Sequence, residues 1–206
     1  MIHTVEVFGV IEENAHFFID DETRHGFLID PGAQADELLK VISERDWMIE
    51  KILLTHGHFD HIGAVNDIQR ELKIPVCMSK GGDYYAKDPA INCSAFVGES
   101  IVLDDVTCLD DGSEISLTAN PNFSVKLLPA KGHTLDGAIY YSSRAGVAFV
   151  GDTIFCGSYG RTDLPGGSYR DLMTTIRDVV FALPDETVLY TGHGEPTTVA
   201  AEKSLY

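Results

Sequence analysis

Apolar and polar positions along the chain predict short strands interleaved with amphipathic helices. Val5-Glu6-Val7-Phe8-Gly9-Val10-Ile11 alternates as a half-buried strand does. His16-Phe17-Phe18-Ile19-Asp20 and Gly26-Phe27-Leu28-Ile29-Asp30 read as two further strands, with polar Glu12-Glu13-Asn14 and Asp21–Arg24 as connectors and Pro31-Gly32 opening a turn. Three successive short strands suggest an antiparallel start. Residues 35–45 place Leu38, Leu39, Val41 and Ile42 on one side of a helix. The apolar run Ile52-Leu53-Leu54 reads as a buried strand, and Ile62, Val65, Ile68 and Leu72 as the stripe of the helix after it. A short strand at 75–78 precedes a polar, aromatic segment, 81–99, carrying Tyr84, Tyr85 and Phe96. That segment reads as a short helix with loops, either walling a cleft or forming a surface excursion.

The second half repeats this logic. Residues 112–117 and 123–128 alternate; 138–141 and 147–150 are two strands about a Ser-Arg-Ala-Gly turn. A helix is expected over 169–182, a strand over 188–190 and a helical turn at the chain end. The pattern is that of an α/β protein.

Composition narrows the class. The 206 residues suffice for one domain spanning 1–206, with two layers of sheet covered by helices. Hydrophobic content of 44% and charged content of 23% are ordinary for a globular protein. The net charge of −17 argues against nucleic acid or an anionic membrane as a partner, since phosphate binding needs a basic surface. Cys77, Cys93, Cys108 and Cys156 form no C-x-x-C pair, and no secretory leader or bilayer-length apolar run is present. A cytoplasmic location with free thiols is the expectation.

The chemistry concentrates in Thr55-His56-Gly57-His58-Phe59-Asp60-His61, which follows a strand and precedes a helix. Imidazole and carboxylate are ligands that zinc accepts, and iron or manganese also. His56 and His58, two apart, can face one ion together, while Asp60 and His61 point towards a second. Asp60 is also a candidate helix cap. Three later strands run out into loops bearing the same chemistry, at His133, Asp152 and His193. Asp30, at another strand end, is either an anchor for the histidine loop or a turn residue. His3, His16 and His25 lack chelating neighbours and read as surface or packing residues; Cys156 reads as packed.

In this order, His56, His58, Asp60, His61, His133, Asp152 and His193 resemble the H-x-H-x-D-H, His, Asp, His pattern of the metallo-β-lactamase fold superfamily. The resemblance implies a four-layer αββα sandwich with two divalent ions in a cleft, zinc first among the candidates. It implies His56, His58 and His133 around one ion, Asp60, His61 and His193 around the other, and Asp152 bridging. Gly151-Asp152-Thr153-Ile154-Phe155 and Gly160–Gly167 resemble the glyoxalase II-like group, which cleaves thioesters such as acyl-glutathiones. That implies a small-molecule thioester substrate, with Asp60 orienting and deprotonating the attacking water. The C-terminal helical region of full-length glyoxalase II has no counterpart here. Arg161 stands where that group has a lysine contacting glutathione, and Asp163 where it has a tyrosine. Arg161 either pairs with a substrate carboxylate or bridges to Asp163. Competing readings are a mononuclear-iron persulfide dioxygenase, a lactonase or β-lactamase, and a metal-stabilised binding scaffold.

Overall fold

The computed structural model describes residues 1–206. Two six-stranded sheets face each other. The first comprises β1 (Ile2–Phe8), β2 (Glu12–Ile19), β3 (His25–Ile29), β4 (Met48–Leu53), β5 (Val76–Ser79) and β6 (Thr107–Leu109), in that spatial order. The second comprises β7 (Glu114–Ser116), β8 (Ser124–Pro129), β9 (Ala138–Ser142), β10 (Val147–Gly151), β11 (Val188–Thr191) and β12 (Thr197–Thr198), again in sequence order across the sheet. The antiparallel start expected for the first three strands is present; β3 to β6 then pair in parallel. Helices α1 (Ala35–Glu44), α2 (Phe59–Ile62), α3 (Val65–Leu72) and α4 (Gly82–Lys87) belong to the first half, and α5 (Tyr169–Thr175) and α6 (Val199–Lys203) to the second.

The strands read as continuous apolar runs because both faces of each sheet are covered. Along β3, Phe27 and Ile29 face the other sheet while Leu28 packs with Leu38, Ile42 and Ile68 of the helices. Along β10, Val147 and Phe149 face inward and Ala148 and Val150 meet Leu172 and Ile176. The period-two alternation thus separates three apolar layers, and the molecule is the αββα sandwich expected.

Several boundaries differ from the sequence reading. β1 stops at Phe8, leaving Val10 and Ile11 exposed, and Glu12–Asn14 belong to β2 instead of a connector. Backbone pairing to Phe8, Val7 and Glu6 accounts for this, as do bonds from the Asn14 amide to the carbonyls of Thr191 and Gly194. The helix expected from Ile62 to Leu72 breaks at Gly63-Ala64. A Cβ on Gly63 would strike the Gly32 carbonyl, and the Ala64 amide bonds Pro31. The helix over 169–182 is α-helical only to Thr175 and continues as a π-helical turn, Ile176–Val180. Strand β6 carries no apolar alternation and is legible only through its pairing with β5.

Candidate metal centre

Strands β4, β8, β10 and β11 end at one rim of the sandwich, where their loops meet. The β4 loop is tied across the sheets by the Ala138 amide, which bonds the Thr55 carbonyl at 2.7 Å. All seven expected side chains gather there. His56 Nε2 lies 3.1 Å from His58 Nδ1, which lies 2.9 Å from His133 Nε2. Asp152 Oδ1 is 3.3 Å from His61 Nε2, and its Oδ2 is 3.5 Å from both His133 Nε2 and His193 Nε2. Asp60 Oδ2 sits 3.4 Å from His193 Nε2 and 3.9 Å from His61 Nε2. Asp60 lies in the first turn of α2 and does not cap it; its carboxylate turns to His193 instead.

The groups behind the rings decide which nitrogens are free. His133 Nδ1 is 2.7 Å from the Arg161 carbonyl, and His193 Nδ1 is 2.6 Å from the Glu12 carbonyl. A carbonyl only accepts, so each Nδ1 carries a proton and each neutral ring presents the Nε2 lone pair to the cleft. His61 Nδ1 donates to Asp30 Oδ2 at 3.1 Å. Thr55 Oγ1 gives its own proton to Asp30 Oδ2 at 2.5 Å and so accepts from His56 Nδ1 at 3.2 Å. Asp30 is therefore the anchor of the histidine loop. It holds its left-handed φ of 49° with Oδ1 accepting the Thr55 amide.

The donor atoms of His56, His58 and His133 lie within 4.8 Å of one another, as do those of Asp60, His61 and His193, and of His56, His61 and Asp152. His61 Nε2 and Asp152 Oδ1 are buried without a hydrogen-bond partner. Buried polar atoms are rarely left so, and a cation satisfies them. Nitrogen and carboxylate donors at these separations fit divalent cations.

The electrostatics of the two halves differ. Burial, then the neighbouring rings, hold His56 well below its ordinary value and bring His58 to about 3. For His61, burial pulls downward but Asp152 and Asp60 outweigh it, leaving the ring well above its ordinary value. His193 is raised to about 10 on the same balance, burial against its hydrogen bonds to Asp152 and Asp60. Burial pushes Asp152 upward, but His61 and His193 hold it well below the usual carboxylate range. Cation binding at His61 and His193 would therefore compete with protonation of their rings.

Some site residues were not found by sequence reasoning. Glu13, read as part of a connector, is buried 3.7 Å from His61 Nδ1 with neither oxygen hydrogen-bonded. Burial pushes its carboxyl well above the usual range. Asp136 is buried against Gly57; burial raises it to about 7, opposed by Thr134 and the Gly57 amide. Tyr85 of the 81–99 segment is fully buried; its hydroxyl accepts from the Leu135 amide and donates to the Pro165 carbonyl. Cys156, expected to pack, is exposed, and Cys93 is the buried thiol that lines the cleft. His16 is a packing residue, buried with its Nε2 on the Thr191 carbonyl. His25 pairs with Glu50 at 2.8 Å.

A cavity of about 460 Å³ opens onto the cluster, reaching His58, Asp60, His133, Asp152 and His193. Segment 81–99 walls it through Cys93, Phe96 and Val97. Arg161 also lines it, but its guanidinium is engaged bidentately by Asp163 at 2.7 and 2.8 Å. The Arg161 carbonyl lies behind His133.

Fold and cluster together define a metal-dependent hydrolase. The sequence model described as the metallo-beta-lactamase superfamily matches residues 14–193, and the chain belongs to that superfamily. The Probable metallo-hydrolase YqgX of Bacillus subtilis is 33% identical, over 95% of this chain and 91% of its own length. The Hydroxyacylglutathione hydrolase GloC of Haemophilus influenzae is 31% identical, over 97% of this chain and 94% of its own. Among solved structures, the BLEG-1 B3 metallo-beta-lactamase superposes with a TM-score of 0.92 at 31% identity, covering 99% of this chain and 97% of that one. TTHA1623 in a di-iron-bound form superposes with a TM-score of 0.86 at 30% identity, covering 98% and 96%. The fold holds a dinuclear metal site. No helix of the protein is long and apolar enough to cross a membrane.

Proposed function

We propose that the protein hydrolyses small thioesters of the acyl-glutathione type, with two divalent cations, zinc first among them, held by His56, His58 and His133, by Asp60, His61 and His193, and by Asp152 between them. The observation that carries this reading is the convergence of backed imidazoles, whose lone pairs face one carboxylate at the floor of an open cavity. Support for the substrate class comes from the likeness to GloC over nearly the whole chain.

Bound divalent cations lower the pKa of water from 15.7 towards about 7 and polarise a carbonyl oxygen. The chain supplies the rest. Asp60 is held below the usual carboxylate range: burial pushes it up, but His61 and His193 outweigh that, so it stays a base. Its carboxylate faces the cavity, where it orients the attacking water and accepts its proton. The water oxygen bonds to the carbonyl carbon, the C–S bond breaks, and the proton passes from Asp60 to the leaving sulfur. The products are one carboxylic acid and one thiol. A thiolate with a free pKa of about 8.5 needs little acid assistance to leave. No serine or cysteine nucleophile is required.

The test is hydrolysis of S-lactoylglutathione by zinc-loaded protein, compared with Asp60→Ala. The expected result is thioester turnover that falls about 10²–10⁴-fold in the variant, the usual contribution of a positioned base. Turnover unchanged in the variant would remove Asp60 from the mechanism. Absence of thioester turnover, with hydrolysis of a lactone or β-lactam instead, would move the assignment within the superfamily.

A further inference from the structure

Beyond the metal-facing side chains, the cavity is walled by Cys93 and Arg161 and by the apolar Ile11, Phe59, Phe96, Val97, Phe155 and Leu164. Those residues come from three separate places in the chain: the β1–β2 turn, the 59–97 stretch and the 155–164 loop. Ile11 and Phe96 are 47% and 68% exposed, which costs solvation unless something apolar covers them. Arg161 is the only cationic side chain of the wall outside the histidine cluster, and Asp163 takes both Nε and one terminal nitrogen. The mouth therefore offers no unpaired positive charge to a substrate carboxylate, and the chain as a whole carries −17. The cavity, at about 460 Å³, is in the range that holds a drug-sized ligand and larger than a three-carbon hydroxyacyl group requires.

We infer that the site selects thioesters by an extended apolar acyl chain, which lies along Ile11, Phe96 and Phe155, and not by the carboxylates of the thiol carrier. This deepens the thioesterase reading and rests on it. A short lactoyl group would leave most of the apolar wall uncovered. A straight alkanoyl chain would cover the wall and exclude water from the carbonyl being attacked. Each methylene that enters the cavity then favours binding by the free energy of removing it from water.

The experiment compares kcat/KM of the zinc-loaded protein for S-lactoyl-, S-butanoyl-, S-hexanoyl- and S-octanoylglutathione, and for S-hexanoyl-N-acetylcysteamine, which lacks the carrier carboxylates. In parallel, calorimetry measures binding of the unreactive thioethers S-methyl- and S-hexylglutathione. The expected result is a rise of about fourfold in kcat/KM per buried methylene until the cavity is filled, following the transfer free energy of a CH₂. The neutral carrier should lose less than tenfold, S-hexylglutathione should bind at least tenfold more tightly than the methyl compound, and Phe96→Ala should flatten the chain-length dependence. A preference for the lactoyl ester, a flat series with equal thioether affinities, or a loss of more than a hundredfold with the neutral carrier would overturn the inference. Failure to cleave any thioester while the thioether preference persists would overturn the hydrolase reading and leave the apolar selectivity standing.

Discussion

Four of the five clustered histidines, His56, His61, His133 and His193, are oriented by an acceptor behind the ring, while the outer nitrogen of His58 has no partner. Asp30 is the most consequential of these acceptors, because one carboxylate receives His61 Nδ1, the Thr55 hydroxyl and the Thr55 amide. Asp30→Ala should fold and yet lose about 10–100-fold in affinity for one cation, the typical effect of removing an anchor behind a ligand. Chelator competition measures it; unchanged affinity would mean that packing alone orients His61. A second expectation concerns protons. With His193 raised to about 10 by Asp152 and Asp60, its protonated form stabilises the metal-free fold fully below 6.5, and that contribution fades as pH rises through about 10. A cation takes the place of that proton, so cation affinity should strengthen as pH rises across this window. Calorimetry near pH 7 in buffers of different ionisation heat should show a proton released from each of His61 and His193 on metal loading. The clustered histidines and aspartates were legible as sequence because their residue types are scarce and their spacing unusual. Glu13 and Asp136 were not, since a carboxylate in a polar stretch gives no sign that the fold will bury it beside an imidazole or a loop amide.

At the scale of elements, the site depends on loops that turn sharply at strand ends. Gly132 adopts φ 132°, a region that disfavours side chains, and a Cβ there would collide with the backbone of Leu172 in α5. Its carbonyl also accepts the Ser168 amide just before α5, and the Lys131 carbonyl accepts the Thr175 hydroxyl. Gly132→Ala should therefore destabilise the protein by about 2–4 kcal/mol through backbone strain and overpacking. It should also weaken metal binding, because His133 is the next residue. Urea midpoints of the metal-free variant and parent check the first part; equal midpoints would show that α5 can shift without cost. Element existence was readable in β3, β4, β9 and β10, where apolar runs coincide with burial on both faces. Element limits failed where tertiary contacts decide them. Glu12–Asn14 joined β2 through bonds to the β11 loop, and the Pro31 carbonyl, which takes the Ala64 amide, divided α2 from α3.

For the whole molecule, the sandwich brings two independent halves of the chain to one rim. The first half provides His56, His58, Asp60 and His61 from a parallel region of one sheet. The second provides His133, Asp152 and His193 from the other, so the cluster exists only when both sheets are packed. The αββα layering followed from the family resemblance, while composition alone allowed any two-sheet α/β arrangement. Divalent ions bound at the rim would offset part of the charge of −17 locally. Whether this rim holds two hydrolytic metal ions is decided by metal content per chain, measured on protein purified without chelator and assayed in parallel for S-lactoylglutathione hydrolysis and oxygen uptake on glutathione persulfide. The expected result is about two metal ions per chain with thioester turnover and no oxygen consumed, as a dinuclear site requires. One iron per chain, with oxygen consumed on the persulfide and no thioester cleaved, would contradict it.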